Sequence, residues 1–309
     1  MTILMAVRNG VPFLQPAMDS ILEQTYQDFQ FLIVDDASTD ETREIVKSYN
    51  DGRIRLICLE QNVGQTAALN VGLREAETPW IARMDADDYS APDRLEKQMA
   101  VLATSKDIDC LGTFAWTFRN DPAAVNGKIT TPINHDEIKR ALLGGSPLIH
   151  GTIVVSRIAM LDVGMYDGNY RYSADVEMYD RLLFKYKAAA IPELLLGVRR
   201  HSGQGSRTER AFNENIEIFA QRLAKGGYSS GDEAIIRRHL SRYHLVRSHY
   251  RLGKGSFGRA GVDLRRAWQV SPGSFFHSCA RVFGVGSIPE PARYKLRRLL
   301  QTMAPRREH

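Results

Sequence analysis

The sequence has little cysteine. Only three cysteines occur among its 309 residues, Cys58, Cys110 and Cys279, and no two of them have the Cys-x-x-Cys spacing. An odd and sparse set of this kind excludes a disulfide framework and a thiolate zinc site. The sequence therefore predicts a protein of a reduced, cytoplasmic compartment.

Long apolar runs are absent as well. The chain begins with a short apolar stretch that ends at Arg8, too short for a secretory signal or a membrane-spanning helix. No run of about 18 uncharged apolar residues follows. Hydrophobic residues make up 43% and charged residues 25% of the sequence, which excludes collagen, coiled coils and full disorder. We expect a globular protein that is not integral to a membrane.

Acidic residues are scarce in the last third of the chain. Residues 1–200 carry 21 lysines and arginines against 28 acids, whereas residues 201–309 carry 20 against 8, within a net charge of +5. With a Ser/Gly-rich stretch at 202–206, this predicts an acidic unit over residues 1–205 and a basic helical unit over 206–309. The basic unit has either solvated arginine faces or a peripheral contact with an anionic membrane, at the inner face of the plasma membrane. Nucleic acid is not an expected partner, since no recognised binding module occurs.

Strand-like and helix-like stretches alternate in the first half. Strands are predicted over residues 2–7, 29–34, 54–58 and 80–84, and helices over residues 38–49, 65–76 and 92–104. The first helix is expected to open with the capping box Ser38-Thr39-Asp40-Glu41. Short connections of this kind predict a parallel sheet covered by helices. Further strands are predicted over 108–114, 148–155 and 191–198, and further helices over 174–186, 232–252 and 258–270, with His244 on a solvated helix face.

Carboxylates follow two of the predicted strands. Asp35 and Asp36 come after the second strand, and Asp85, Asp87 and Asp88 come within four residues after the fourth. In an open α/β sheet, ligands bind beyond the carboxyl ends of the strands. A single aspartate at such a place is most often a helix cap or part of a solvated loop, but three so close together repel one another. A hard divalent cation, Mg²⁺ or Mn²⁺, neutralises such a cluster and keeps positions open for diphosphate oxygens.

Five sequence motifs occur in order and at fitting spacing. They are Met5-Ala6-Val7-Arg8-Asn9-Gly10, Val34-Asp35-Asp36-Ala37-Ser38-Thr39-Asp40, Asn62-Val63-Gly64 followed by Ala68-Leu69-Asn70-Val71-Gly72, Ala82-Arg83-Met84-Asp85-Ala86-Asp87-Asp88, and Pro92-Asp93-Arg94-Leu95. Over roughly residues 2–205 they resemble family 2 glycosyltransferases of the GT-A fold. The resemblance implies an α/β fold, with a GT-A Rossmann-like, mostly parallel sheet covered by helices, followed here by a C-terminal helical extension. It also implies an inverting enzyme, and the absence of a Gln-x-x-Arg-Trp motif indicates single additions instead of polymer synthesis.

The resemblance places the donor at the first acidic cluster. It implies that Asp35 and Asp36 bind the base and ribose of a nucleotide-sugar. The motif positions around them that are expected to contact the donor are Ala6, Arg8, Asn62, Gly64, Arg83, Asp85 and Ala86. The stretch 202–206 corresponds to a flexible loop over the donor.

The second acidic cluster corresponds to the family's metal-binding Asp-x-Asp. Asp87 is the expected direct ligand of Mn²⁺ or Mg²⁺, and Asp85 is expected to be shared between the ribose and the metal. His201 matches a histidine that approaches the metal or the diphosphate. Asp88 and His150 are expected to belong to the acceptor or donor loops, although a structural role for His150 is an equal alternative.

The catalytic base is expected in the segment Tyr172–Tyr179, which is similar to the family's Glu-Asp-x-Asp. Its inner aspartate corresponds to Asp175. The sequence departs from the pattern because Ala174 replaces the preceding glutamate and Glu177 replaces the following aspartate. Residues two apart on a helix face different directions, so only one of the two acids can address the acceptor. Asp175, in the first helical turn, is the predicted base, and Glu177 is the alternative.

These observations predict an inverting, metal-dependent glycosyltransferase. It uses a nucleotide-diphosphate donor, expected to be a UDP-sugar, and a saccharide or lipid-linked saccharide acceptor in surface polysaccharide synthesis. One alternative is a sugar-phosphate nucleotidyltransferase, but the Arg8-Asn9-Gly10 loop is too poor in glycine and basic residues to hold a triphosphate. The other alternative is a non-catalytic sugar-nucleotide-binding protein. The presence of Asp85, Asp87 and Asp175 together argues against it.

Overall fold

The computed structural model describes residues 1–201 and 208–283. The chain divides into two compact units, residues 1–204 and residues 205–309. The predicted loop over 202–206 and the part of the basic region beyond residue 283 lie outside the described residues. Each unit is described by itself.

The first unit is built on one mixed sheet, which has nine strands within its described residues. The strands are β1 (Thr2–Val7), β2 (Gln30–Asp35), β3 (Ile54–Cys58), β4 (Trp80–Met84), β5 (Tyr89–Ser90), β6 (Cys110–Phe118), β7 (Gly127–Ile129), β8 (Val154–Ser156) and β9 (Ala188–Arg199). Their order is β3-β2-β1-β4-β8-β6-β9-β5, with β7 paired to β6. The strands β1 to β4 pair in parallel, and so do β6 and β9, whereas β5, β7 and β8 pair antiparallel to their neighbours.

Seven α-helices lie in the described part of this unit, and two of them cover the two faces of β1. The seven are α1 (Leu14–Leu22), α2 (Thr42–Ser48), α3 (Gln65–Glu75), α4 (Arg94–Thr104), α5 (His135–Leu142), α6 (Arg157–Asp162) and α7 (Ala174–Lys185). On one face of β1, Ile3 and Met5 join a hydrophobic cluster with Met18 of α1. On the other face, Leu4 contacts Gly72 of α3, where a Cβ atom would collide with it. Every residue of β1 is therefore buried, as expected of a central strand. The predicted α/β fold is confirmed.

Two local predictions are wrong. Helix α2 begins at Thr42 and has no side-chain cap, because the hydroxyl of Ser38 instead accepts the backbone N–H of Asn9 at 2.9 Å. The predicted strand over 148–155 is a 3₁₀ turn at His150–Thr152 followed by the short strand β8. The turn forms because the Thr152 hydroxyl donates back to the carbonyl of Ile149 at 2.8 Å. Helix α4 begins at Arg94, two residues after the predicted start at Pro92.

The second unit is helical in its described part. It contains α8 (Glu209–Lys225), α9 (Ser230–Gly253), α10 (Phe257–Val270) and α11 (Pro272–Phe283). The hydroxyl groups of Ser241 and Ser248 donate to the carbonyls of Ala267 and Ala260, at 2.8 and 3.0 Å, and so join α9 to α10. None of the helices among the described residues is long and apolar enough to cross a membrane.

A buried ionic cluster holds these helices together. Asp263 of α10 has no exposed side-chain surface and is ion-paired with Arg247 and Arg251 of α9, at 2.5 and 2.8 Å. His244 lies 3.4 Å from the same carboxylate and is buried. The prediction of a solvated His244 is wrong, because Asp263 of α10 lies against this face of α9.

Candidate active site

The loop after β1 is tied to the loop after β2. Arg8, the first residue beyond β1, is exposed, whereas Ala6 within the strand is buried. Asn9 has a positive φ of 51°, and its side-chain oxygen accepts the backbone N–H of Thr39 at 2.9 Å. Its own N–H donates to Ser38. The polar residues that the sequence suggested as a helix cap therefore shape the rim of the sheet.

Asp35 and Asp36 both have partners in the protein. Asp35 has no exposed side-chain surface and is ion-paired with Arg43. The carboxylate of Asp36 accepts the backbone N–H groups of Val63 and Gly64 at 2.6 and 2.9 Å. Gly64 has a φ of 89°, which favours glycine at that position. Asp36 thus fixes the loop that carries the exposed Asn62, and direct contact of either aspartate with a nucleotide stays a prediction.

The three aspartates after β4 form one cluster. Asp85, Asp87 and Asp88 each offer a carboxylate oxygen, and these oxygens lie within 4.8 Å of one another. Asp85 is ion-paired with Arg83. Asp87 lies 2.8 Å from Nε2 of His201. The structure therefore brings together the predicted metal ligands, including the histidine 114 residues away in the sequence.

Burial makes this cluster electrostatically costly. The pKa of Asp88 is raised well above its ordinary value by burial and by the charges of Asp85 and Asp87. Burial also raises the pKa of Asp85, although the charge of Arg83 opposes the shift. The half-buried Ala86 lies in the same loop. Three carboxylates and an imidazole are oxygen and nitrogen donors that suit Mg²⁺ or Mn²⁺, so the donor set fits a divalent cation.

Asp88 differs from the other two acids because it is tied to the backbone. Its carboxylate accepts the backbone N–H of Arg199 at 3.0 Å. A Cβ atom on Gly151 would come within 3.3 Å of Asp88 and 3.4 Å of Arg83. Asp88 thus joins the β4 loop to the end of β9 and lies beside the turn that carries His150, so it is a bracing residue of the cluster.

Arg199 is a site residue that the sequence analysis missed. Its Nε donates to the carbonyl of Asp87 at 2.9 Å. Its guanidinium group lies over the rings of Phe118 and Phe13, 4.5 and 4.8 Å from their centroids. Arg199 therefore holds the backbone of the acidic loop from the β9 side. The only signal was its place two residues before His201.

A cavity of about 370 Å³ lies beside the His150–Thr152 turn. Asp175, in the first turn of α7, and His150 both line it, together with Ser146 and the apolar groups of Pro132 and Leu148. Burial raises the pKa of Asp175, while a hydrogen bond with the Ser146 side chain and the charge of Arg83 oppose the shift. The arrangement places one carboxylate in a largely apolar pocket.

His150 is held by a second residue that the sequence analysis missed. Its Nε2 lies 2.7 Å from the hydroxyl of Tyr166. Burial and the charge of Arg83 lower the pKa of His150 well below its ordinary value, so the imidazole is neutral. Asn70 binds both backbone groups of Tyr166: its Nδ2 donates to the carbonyl at 2.8 Å, and its Oδ1 accepts the N–H at 3.0 Å. Asn70 belongs to a motif of the resemblance, but nothing in the sequence pointed to Tyr166.

Glu177 does not line the cavity. Arg181 donates to its carboxylate from Nε and Nη2, at 2.7 and 2.6 Å. Arg181 also donates to the carbonyls of Val163 and Met165, which follow α6. Glu177 therefore pairs with Arg181 while Asp175 lines the cavity, and their spacing on the helix predicts that they face different directions.

Comparison with known proteins decides the family. Residues 2–164 match the family model described as Glycosyl transferase family 2. EpsE of Bacillus subtilis is 32% identical over 223 residues, which span 70% of this chain and 78% of EpsE. The chain belongs to glycosyltransferase family 2. The O-antigen biosynthesis glycosyltransferase WbnJ of Escherichia coli is 29% identical over 222 residues, 69% of this chain and 84% of WbnJ.

Solved structures share the fold of this family 2 glycosyltransferase. Residues 1–349 of S. aureus TarS in complex with UDP-GlcNAc align with a TM-score of 0.66 and 16% identity over 96% of this chain and 91% of that one. The mannosyltransferase PcManGT of Pyrobaculum calidifontis, in complex with GDP-Man and Mn²⁺, aligns with a TM-score of 0.59 and 19% identity over 98% and 81% of the two chains. These likenesses confirm the expected GT-A architecture. The family model ends before Asp175 and His201, and the roles of these two residues stay predictions.

Proposed function

We propose that the protein transfers a sugar from a nucleoside diphosphate donor to a saccharide hydroxyl, with inversion and one sugar at a time. One observation carries this proposal. Arg83, which is ion-paired with Asp85, lies beside the turn that carries His150, since a Cβ atom on Gly151 would come within 3.4 Å of Arg83 and 3.3 Å of Asp88. His150 in turn lines one cavity with Asp175. The acidic cluster and the cavity with the candidate base are therefore neighbours, as a reaction between a metal-bound donor and an acceptor requires.

The cluster of Asp85, Asp87 and Asp88 with His201 would hold Mn²⁺ or Mg²⁺. A divalent cation at this place supplies Lewis-acid stabilisation of the negative charge on the leaving diphosphate. The chain's own residues orient the ligands: Arg83 holds Asp85, the side chain of Arg199 holds the backbone carbonyl of Asp87, and the backbone N–H of Arg199 holds the carboxylate of Asp88. Ligands fixed in this way cost little reorganisation when the ion binds.

Asp175 would remove the proton of the acceptor hydroxyl. A sugar hydroxyl is a poor nucleophile, and a positioned carboxylate that accepts its proton in the transition state contributes about 10²–10⁴-fold. The raised pKa of Asp175 makes this carboxylate a stronger base than an exposed aspartate. The attack comes from the side opposite the leaving diphosphate, and a single base therefore gives inversion.

The neutral imidazole of His150 borders the same cavity, where it can bind an acceptor hydroxyl. Its Nε2 is already bonded to Tyr166, so Nδ1 is the atom available for such a contact. We propose that the loops around this cavity, together with the bound donor, select the acceptor.

Named relatives support the proposed donor and acceptor classes. TarS binds UDP-GlcNAc on the same fold, which supports a UDP-sugar as the donor. WbnJ acts in O-antigen biosynthesis, which supports a saccharide or lipid-linked saccharide acceptor in surface polysaccharide synthesis. We propose that the enzyme acts at the cytoplasmic face of a membrane, where it would meet a lipid-linked acceptor.

A thermal-shift panel tests the donor. The full chain is heated with UDP-, GDP- and dTDP-sugars, each with Mn²⁺ and with chelator. A donor at about 100 times its dissociation constant stabilises the fold by about 2.7 kcal/mol. We expect a UDP-sugar to raise the melting temperature in the presence of metal. If no nucleotide-sugar shifts the melting temperature under either condition, the proposed donor class is wrong.

A further inference from the structure

The exposed side of helix α10 is cationic. Arg259 and Arg266 are exposed on it, and the exposed Lys254 precedes it in the turn after α9. The only acid in α10 is Asp263, which is fully buried and neutralised by Arg247 and Arg251. The outward side of the helix therefore carries positive charge with no carboxylate of its own to balance it.

Large apolar side chains stand on the same helix. Phe257 is 71% exposed and Val262 is 45% exposed. Residues 259, 262 and 266 are spaced by three and four positions, so Val262 lies on the helix surface between the two arginines. Elsewhere in the described part of the second unit, large apolar side chains are buried or half-buried. Val262 thus lies within the cationic surface, whereas Phe257, two positions before Arg259, stands on another side of the first turn of the helix.

We propose that the surface formed by Lys254, Arg259, Val262 and Arg266, named the α10 face, binds an anionic lipid bilayer, with the exposed Phe257 at its edge. Basic residues near an anionic leaflet each contribute about 1 kcal/mol. Arginine and lysine keep their charges at the headgroups while their aliphatic stems cover apolar surface. Phe257 and Val262 can then enter the boundary between headgroups and acyl chains.

The apolar member of the α10 face favours lipid over nucleic acid. Nucleic acids are held through phosphate contacts and by stacking of bases on aromatic rings. Val262 offers neither, yet it lies between the two exposed arginines. A bilayer suits both the arginines and Val262, because its surface is anionic and its interior is apolar.

Binding of a bilayer by the α10 face does not depend on the proposed sugar transfer. A protein that binds a leaflet through α10 does so whether or not it turns over a nucleotide-sugar. If the proposed function also holds, the contact brings the enzyme to the surface at which a lipid-linked acceptor is presented.

Vesicle sedimentation tests the α10 face with the full chain. The vesicles contain one part phosphatidylglycerol to two parts phosphatidylcholine, and pure phosphatidylcholine vesicles serve as the neutral comparison. We expect the protein to pellet with the anionic vesicles at low salt. About 1 M salt, at which the Debye length is about 3 Å, should release most of it.

Two double variants locate the contact. Because each basic residue contributes about 1 kcal/mol, or about fivefold, Arg259→Ser with Arg266→Ser should weaken partitioning about 25-fold. The matched control is Arg210→Ser with Arg237→Ser, which removes the same charge from exposed arginines that already pair with Glu214 and Glu233. The control should bind within about twofold of the unaltered chain. Equal losses in both variants would show that net charge alone matters and would overturn the assignment to α10.

A third variant separates lipid from nucleic acid. Phe257→Ser with Val262→Ser removes exposed side chains only, so the fold should be kept, and circular dichroism checks this. We expect weaker vesicle binding and unchanged retention on heparin, a polyanion without an apolar phase. The proposal fails if the unaltered chain ignores anionic vesicles, if it binds neutral vesicles equally, or if this variant binds vesicles as well as the unaltered chain does.

Discussion

Glu177 and Arg181 form a doubly hydrogen-bonded ion pair along α7, with Nε and Nη2 of Arg181 at 2.7 and 2.6 Å from the carboxylate. Through Arg181 the pair also binds the segment after α6. A carboxylate engaged in this way is a structural group. Asp175, two residues earlier, lines the cavity instead. The relationship favours Asp175 over Glu177 as the base.

The first prediction compares the two acids. Asp175→Asn keeps the shape of the side chain but cannot accept the acceptor's proton. Transfer should therefore fall about 10²–10⁴-fold, in kcat and kcat/KM together. Glu177→Gln should lower the melting temperature through its weakened pair with Arg181 and cost little in kcat. Steady-state kinetics on both variants shows which of the two acids is the base. An inactive Glu177→Gln beside an active Asp175→Asn would reverse the assignment.

The second prediction concerns stability and follows from the raised pKa of Asp175. A buried carboxylate with a raised pKa destabilises the folded state once it ionises, because the unfolded chain ionises it more easily. The destabilisation is absent at low pH and complete at neutral pH. Asp175→Asn should thus melt at or above the temperature of the unaltered enzyme at pH 7, with the difference vanishing near pH 3. A marked loss of stability at pH 7 would contradict this account.

The third prediction tests the support of His150 by Tyr166. Asn70→Ala leaves the backbone N–H and C=O of the buried Tyr166 without their partners, at a cost of about 1–3 kcal/mol each. Denaturant unfolding should show this loss, and activity should fall with it because Tyr166 bonds to His150. Asn62→Ala, at an exposed asparagine before the same helix, is the control and should leave stability unchanged.

The fourth prediction concerns the second unit in acid. Burial alone would raise the pKa of Asp263, but hydrogen bonds from His244 and Arg247 and the charges of Arg247 and Arg251 lower it to about 2. A depressed pKa gives stability that is complete above about pH 4 and is lost as the pH falls towards 2, here about 2 kcal/mol. Asp263→Asn should be less stable at pH 7 and should lack this part of the pH dependence. Glu233→Gln, in an exposed pair, should keep it.

The parts of the structure that the sequence predicted are local. Strands β1, β3 and β4 have the predicted bounds, since each is a short, mostly apolar stretch that ends at a loop. The acidic cluster after β4 was visible because its three members lie within four consecutive residues. His201 was found only through the family resemblance, since its contact with Asp87 spans 114 positions.

The errors arose where a distant partner overrides a local pattern. The sequence predicted Ser38 as part of a helix cap, but its hydroxyl accepts the backbone N–H of Asn9, 29 positions earlier. His244 looked solvated, but Asp263 on the next helix buries it. Tyr166 carried no sequence signal, because its bonds to His150 and Asn70 exist only in the folded chain. Periodicity and composition do not encode such partners.

The most direct test of the central claim measures donor binding and nucleoside diphosphate release side by side. The variants are Asp87→Asn, Asp175→Asn and, as a matched control, Asp93→Asn, an exposed acid that pairs with Lys97. The account predicts that Asp87→Asn loses metal-dependent donor binding and release, that Asp175→Asn binds the donor but releases its diphosphate far more slowly, and that Asp93→Asn behaves as the unaltered enzyme. Full release by Asp87→Asn, or by the unaltered enzyme in excess chelator, would contradict it.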